Sequence, residues 1–429
     1  MTLVFVILFG LMLLGVPVAF AILSSGMAYL ATTGTSILVV AQRLIYGLNS
    51  FTLLAVPLFI LVGNLMDFGG ISKRLTDWAK SLLGWLPGGL GIVTVFSCAI
   101  FAALTGSGPA TVAAIGSIML PSMMKAGYSK ETSAGLVAAA GALGPIIPPS
   151  IPMIIYGVTM NLSIPAMFVA GVVPGLVIAL VLSIVNIFFA YKNPQVIQYA
   201  KTMKFDFKLS LKLFWKALGA LGLPVLILGG IYGGIFTPTE SAAVGIVYAL
   251  VVGFALKELK LKDLPRILIS SLKTSTMVNF IIAAASLFSW VVSKSQIGTV
   301  ISDAFVNLVG GSQAMYLAVL VVILLVVGCL MDNVAATLIL APILIPVGIS
   351  LGCNQLHIGM LFCICLVVGF VTPPFGYNLF TAVSISGLNF KQIVKGTLPF
   401  LLAEILLLFV FAFVPGIITW LPSLMGYTF

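Results

Sequence analysis

The chain has 429 residues, 61% of them apolar and 7% charged, with a mean hydropathy of +1.26, the composition of a polytopic α-helical membrane protein. Its apolar runs are continuous rather than alternating, which excludes a transmembrane β-barrel. The net charge of +10 is gathered in short loops beside long apolar spans, a positive-inside pattern and not a nucleic-acid footprint, so no nucleic-acid partner is expected.

The first apolar run, Leu3 to Leu23, reaches the roughly 20 residues that cross a ~30 Å hydrocarbon core. Gly15 to Pro17 interrupts it, so residues 1–31 read either as one crossing or as two shorter pieces. No basic residue precedes Arg43 and the run is too long for a signal-peptide core, so no cleavable signal is expected. Ile71 to Leu83 mixes charge with an apolar face and suits a helix lying in the membrane interface.

Between Gly88 and Pro121, two apolar arms of roughly 12 to 17 residues flank "TGSGP", each too short to cross comfortably. The polar tip then sits at greatest depth, which predicts a re-entrant hairpin. Pro109 suits the first turn of the second arm, with Thr105 or Ser107 as its cap. Lys125 and Lys130 assign the following loop to the cytoplasm.

Glu131 to Met160 should cross outward, yet it contains "GALGPIIPPSIPMIIYG" from Gly141 to Gly157. Pro145, Pro148 and Pro149 lack amide hydrogens and release carbonyls from the helical ladder. An unpaired backbone group in hydrocarbon costs several kcal/mol, so a broken span survives only where it is buried in protein or lines a polar cavity. Freed carbonyls with neighbouring hydroxyls make a hard oxygen cage for a small cation, and helix N-termini beyond the break favour an anion. A kink that merely shapes helix packing is the other reading.

Ile164 to Tyr191 returns to a loop with six lysines between Lys192 and Lys216. Leu213 to Gly234 and Ala242 to Leu256 make one excursion to a second group of five basic residues, Lys257 to Lys273. Thr237-Pro-Thr-Glu240 fits a capping box at the start of the return span. Lys262 to Leu272 suits a second interfacial helix.

A shift of 225 residues lays Pro148-Pro149 on Pro373-Pro374, Gly144 on Gly369, Pro121 on Pro346 and Ala110 on Ala335. The second hairpin tip is then "MDNVAAT", where Asp332 is a carboxylate between apolar arms and is expensive unless paired or liganded. It reads as an N-cap, an ion ligand or both. The loop "GISLGCNQLH" has no Lys or Arg and belongs outside, so the second broken span, His357 to Ile385, crosses inward to Lys391 and Lys395. The predicted fold is an all-α polytopic membrane protein of two inverted-topology repeats, each with a re-entrant hairpin and a broken helix.

His357, the sole histidine, reads as an interfacial residue, Glu404 as a scaffold or subunit contact, and the five cysteines as packing residues. With no P-loop, no histidine dyad and no acidic pair in the apolar runs, an enzyme is not expected.

"TGSGPATVAAIGSIMLP", "GPIIPPSIPMIIYG", "GGIFTPTESAAVG" and "GFVTPPFGYNLF" resemble, in order and over essentially the whole chain, the large membrane (M, DctM-like) subunit of tripartite ATP-independent periplasmic (TRAP) transporters. The resemblance implies a sodium-driven importer of organic acids, such as C4-dicarboxylates or sialic acid, in a bacterial inner membrane. It also implies an elevator-type motion of a transport domain against a scaffold, a periplasmic substrate-binding protein (P, DctP-like) and a small membrane subunit (Q, DctQ-like), expected as a separate chain. The divisions it suggests are 1–87 (scaffold and arm), 88–160 (first transport half), 161–275 (scaffold and central loops), 276–313 (second scaffold and arm), 314–386 (second transport half) and 387–429 (C-terminal scaffold helix).

Carried over by position, one sodium site would combine Thr105, Gly106 and Ser107 with Gly144, Pro145 and Pro148. The other would combine Asp332 and Asn333 with Gly369, Thr372 and Pro373. Substrate would lie near Ser107, Pro149, Ser150, Asn333 and Pro374, with no organic cofactor. The family often places a second small hydroxyl after the first tip serine, whereas Gly108 and Pro109 follow Ser107 here. A stand-alone sodium/carboxylate symporter and an ion channel are the alternative readings.

Overall fold

The computed structural model describes residues 2–296, 305–307 and 309–429. Residues 297–304 and 308, part of the expected 276–313 arm, lie outside the described residues. No strand occurs among the described residues, and eight helical segments there are long and apolar enough to cross a membrane.

The N-terminal run forms two helices packed on each other, α1 (Thr2–Leu13) and α2 (Val18–Thr33), rather than a single crossing. Gly15 adopts a φ of +80°, and Pro17, which has no amide hydrogen, precedes the new helix. After α3 (Leu38–Leu48) and α4 (Ala55–Phe68), Gly70 turns the chain at a φ of +67° into α5 (Ile71–Leu83). That helix buries Ile71, Leu75 and Ala79 on one face, the stripe expected of an amphipathic helix.

The first hairpin is α6 (Gly89–Thr105) and α7 (Gly108–Lys125), whose arms of 17 and 18 residues are slightly longer than the sequence suggested. The first broken span is α8 (Lys130–Ala140) and α9 (Ile151–Met160). It continues into α10 (Ile164–Tyr191), where Asn186 Nδ2 donates to Gly88 O at 2.9 Å and anchors the base of the hairpin. The lysine-rich loop contains a short helix, α11 (Pro194–Thr202), held by Asn193 Nδ2 donating to Gly127 O at 2.8 Å.

α12 (Phe207–Tyr232) and α13 (Pro238–Ala255) form the excursion. The capping box at Thr237 is present: Glu240 N donates to Thr237 Oγ1 at 3.3 Å and Thr237 N donates to Glu240 Oε2 at 2.8 Å. Lys262 to Leu272 does not form a separate helix. It supplies a 3₁₀ turn and the opening turns of one continuous helix, α14 (Leu264–Lys294), because no glycine or interior proline interrupts the run after Pro265.

The second hairpin is α15 (Gln313–Leu330) and α16 (Asn333–Ser350), and the second broken span is α17 (Gln355–Gly369) and α18 (Tyr377–Ser386). The final apolar run forms α19 (Phe390–Phe413) and breaks at Val414-Pro415 before α20 (Gly416–Leu424).

The core is built on the two broken spans. Every residue from Ser133 to Ala140 in α8, and from Leu356 to Gly369 in α17, is buried, as befits helices surrounded by protein. α8 crosses α19 where Gly135 and Gly396 meet backbone to backbone, the small-residue contact that lets membrane helices approach closely. His357 is 2% exposed, and its Nε2 donates to Phe411 O at 2.8 Å, joining α17 to α19. The five cysteines are free and buried, as packing residues are.

Candidate functional site

The first tip meets the first break directly. Gly106 ends α6 at a φ of +59°, and Ser107 is extended at φ −129°, ψ 126°. A Cβ added to Gly106 would lie 2.8 Å from Pro149 O, and one added to Gly144 would lie 2.5 Å from Ser107 O. Only glycine allows both approaches. Of the two expected caps, Ser107 occupies the cap position of α7 but its hydroxyl makes no cap bond, while the Thr105 hydroxyl accepts from Ser107 N at 3.5 Å. Thr111 Oγ1 instead donates to Ser107 O at 2.8 Å and lies 3.3 Å from Thr105 Oγ1.

Within the break, α8 tightens into a 3₁₀ turn over Gly141–Leu143 before the prolines. Pro148-Pro149 is cis, as is Pro373-Pro374. Ser150 caps α9 by accepting from Met153 N, while its own hydroxyl donates to Pro145 O at 2.5 Å. No hydrogen bond reaches the carbonyls of Gly144, Pro148 or Pro149 among the described residues. The Thr105 hydroxyl beside this tip is buried and donates to Phe101 O at 3.3 Å.

At the second tip, Asp332 caps α16, accepting from Val334 N at 2.8 Å. Asn333 is 2% exposed, and neither its Oδ1 nor its Nδ2 has a partner. Gly369 packs on the chain just before the tip, where an added Cβ would lie 2.5 Å from Gly328 Cα. The amide of Gly376 points to Cys329 O at 3.5 Å. Thr372 Oγ1 donates to Val368 O at 3.0 Å, and the carbonyls of Thr372 and Pro373 accept no hydrogen bond among the described residues.

Thus Gly106, Ser107, Gly144, Pro149 and Ser150 form one contact set, and Gly369 joins the second hairpin. Pro374 is exposed, and no hydrogen bond joins it or Asn333 to the first tip among the described residues.

Two buried residues escaped the sequence reading. Thr337 lies one turn beyond Asn333 on α16 and its hydroxyl has no partner. The i, i+4 spacing inside "MDNVAAT" was the available signal. Asn378 stands in "GYNLF" of the second span but reaches the first, its Nδ2 donating to Ala138 O at 3.1 Å. Its Oδ1 has no partner and would lie 2.7 Å from a Cβ built on Gly108. A flipped amide would set oxygen against the Ala138 carbonyl, which fixes the orientation. Nothing local in the sequence marks this asparagine, because its partners lie 240 positions away.

The arrangement is that of a helical membrane transporter whose polar centre is made of hairpin tips closed on broken helices. The chain belongs to the family of the DctM component of tripartite ATP-independent periplasmic transporters, whose signature matches residues 5–417. It is 37% identical over 99% of both chains to the C4-dicarboxylate TRAP transporter large permease protein DctM of Rhodobacter capsulatus. It is 35% identical to the sialic acid TRAP transporter large permease protein SiaM of Vibrio cholerae, with 97% of each chain covered. Against the isethionate TRAP transporter permease protein DctMQ of Oleidesulfovibrio alaskensis it is 38% identical over 96% of its own length. It spans 65% of that relative.

Proposed function

We propose that this chain is the large permease of a sodium-driven importer of an organic acid anion, in a bacterial inner membrane. The observation that carries the reading is the closure of Ser107 on Gly144 beside carbonyls that accept no hydrogen bond. A small hard cation there would complete oxygens that the fold leaves bare, and the N-terminus of α9 beyond the break favours an anion.

Sodium is a co-substrate in this reading. The first site takes Thr105, Gly106, Ser107, Gly144, Pro145 and Pro148. The second takes Asp332, Asn333, Gly369, Thr372 and Pro373. Ion binding orders both tips and thereby forms the substrate site between them, which couples the two ligands. Each sodium falling through 100 mV releases about 2.3 kcal/mol, which offsets the inward movement of one negative charge, so two sodium ions leave a surplus that draws a monoanion inward. The two halves run in opposite directions through the bilayer, and the hairpins and broken spans move together as an elevator.

The relatives' names point to C4-dicarboxylates, sialic acid and similar acids as the substrate class. A small membrane subunit and a periplasmic binding protein complete the system. The test is uptake of a radiolabelled acid into proteoliposomes holding the chain with its small subunit and binding protein. Uptake that follows an imposed sodium gradient is expected. Uptake indifferent to sodium overturns the coupling, and ion flux without the binding protein indicates a channel.

A further inference from the structure

Away from the tips, a cavity of about 500 Å³ opens between α3, α9, α14 and α16. Its lining includes Arg43, Asn49, Thr159, Ser286, Ser289 and Trp290. The Arg43 guanidinium carbon lies 5.4 Å from the centre of the Trp290 ring, and Lys294 Nζ lies 4.8 Å from the same centre. Two cations therefore share one indole.

Nothing described neutralises them. The one ion pair among the described residues is Arg74–Glu258, and neither Arg43 nor Lys294 makes a hydrogen bond there. A snorkelling interfacial arginine would turn its head outward to water. Arg43 instead is half-buried and lines the cavity.

Position sharpens the anomaly. α14 has 31 residues, so about 45 Å separates its basic first turn from Lys294, more than the hydrocarbon thickness. The two cations thus lie on the face opposite the lysine-rich loops, where the positive-inside rule disfavours them. The same cavity is walled by Leu338, five residues past Asn333 on α16.

We propose that this cavity is a vestibule that captures the carboxylate of an organic acid, with Arg43 of its lining as the anion-binding residue and Lys294, exposed and over the same Trp290 ring, adding positive charge beside it. The planar guanidinium offers a fork of donors that matches a carboxylate, and Ser286, Ser289 and Thr159 offer hydroxyls to the remainder of a polar acid. The volume is that of a small-molecule site. This inference rests on the organic-acid reading above, adding where the anion first binds.

The test titrates the full chain, in phosphatidylcholine nanodiscs, with succinate, N-acetylneuraminate and isethionate while recording tryptophan fluorescence. Trp290→Phe identifies the reporting ring. A saturable response is expected from at least one anion, weakened tenfold or more in Arg43→Gln and Lys294→Gln and partly restored in Arg43→Lys. No saturable response, or one that survives both glutamine variants, overturns the vestibule. A response abolished competitively by added phosphatidylglycerol overturns it in favour of a lipid phosphate. In reconstituted uptake the glutamine variants should raise KM about tenfold at unchanged sodium activation. Absence of uptake by the native chain with the fluorescence response intact would instead count against the importer reading alone.

Discussion

One methyl group is enough to part the first tip from its break. Gly144→Ala would place Cβ 2.5 Å from Ser107 O, too close for any real contact, so the tip must withdraw. We expect a folded protein whose half-maximal sodium concentration for uptake rises at least tenfold, about 1.4 kcal/mol of lost site energy. Asp332 allows a cleaner separation of roles, because asparagine caps helices as well as aspartate does. Asp332→Asn should leave the melting temperature nearly unchanged while weakening sodium activation. Unaltered sodium dependence would leave capping as its sole function. For Asn378, deletion of the amide leaves the buried Ala138 carbonyl without its side-chain donor, which costs about 1–3 kcal/mol. Asn378→Ala should therefore lower the melting temperature of the purified chain, and a loss of sodium activation beyond that would show the amide contributing to the first site.

Between elements, the contact most sensitive to size is the crossing of α8 with α19. Gly135 and Gly396 touch through their backbones, so a side chain at either position separates two helices that hold the first break in place. Gly396→Leu should abolish transport or expression, whereas Gly10→Leu, with open space around it, should be neutral in both. At α13, Thr237→Val removes the hydroxyl that accepts from Glu240 N and should cost about 1 kcal/mol of stability, read as a lower melting temperature with transport retained. The capping box was legible because all its residues lie within four positions. The N-terminal break was ambiguous for the opposite reason: Gly15 and Pro17 permit a turn, but only the packing of α1 on α2 decides that one forms.

For the whole molecule, the proposed opposed orientation of the halves is open to direct labelling. All five native cysteines are buried, so an introduced thiol can be read against a quiet background. Lys125→Cys and Lys208→Cys should react with a membrane-impermeant maleimide only from the cytoplasmic side, and Gly352→Cys only from outside. Labelling of Lys125→Cys and Gly352→Cys from the same side would remove the inverted arrangement. Much of the architecture was readable because hydrocarbon is an unforgiving solvent: span length, the siting of lysines and the clusters of glycine and proline all answer to it. The site was readable only in part. Glycines and prolines mark where backbone must break, yet nothing along the chain tells which carbonyl lies bare or that Ser150 turns its hydroxyl back on Pro145.

The amino-acid sequence alone determined that this is a helical membrane protein with two polar interruptions at matched positions, since those features are set by local chemistry against an apolar solvent. Tertiary structure decided which groups meet there. The Ser107–Gly144 closure, the reach of Asn378 from one span into the other and the contact of Arg43 with the Trp290 ring all join positions far apart in the chain. Their geometry comes from helix packing, which no local stretch of residues encodes.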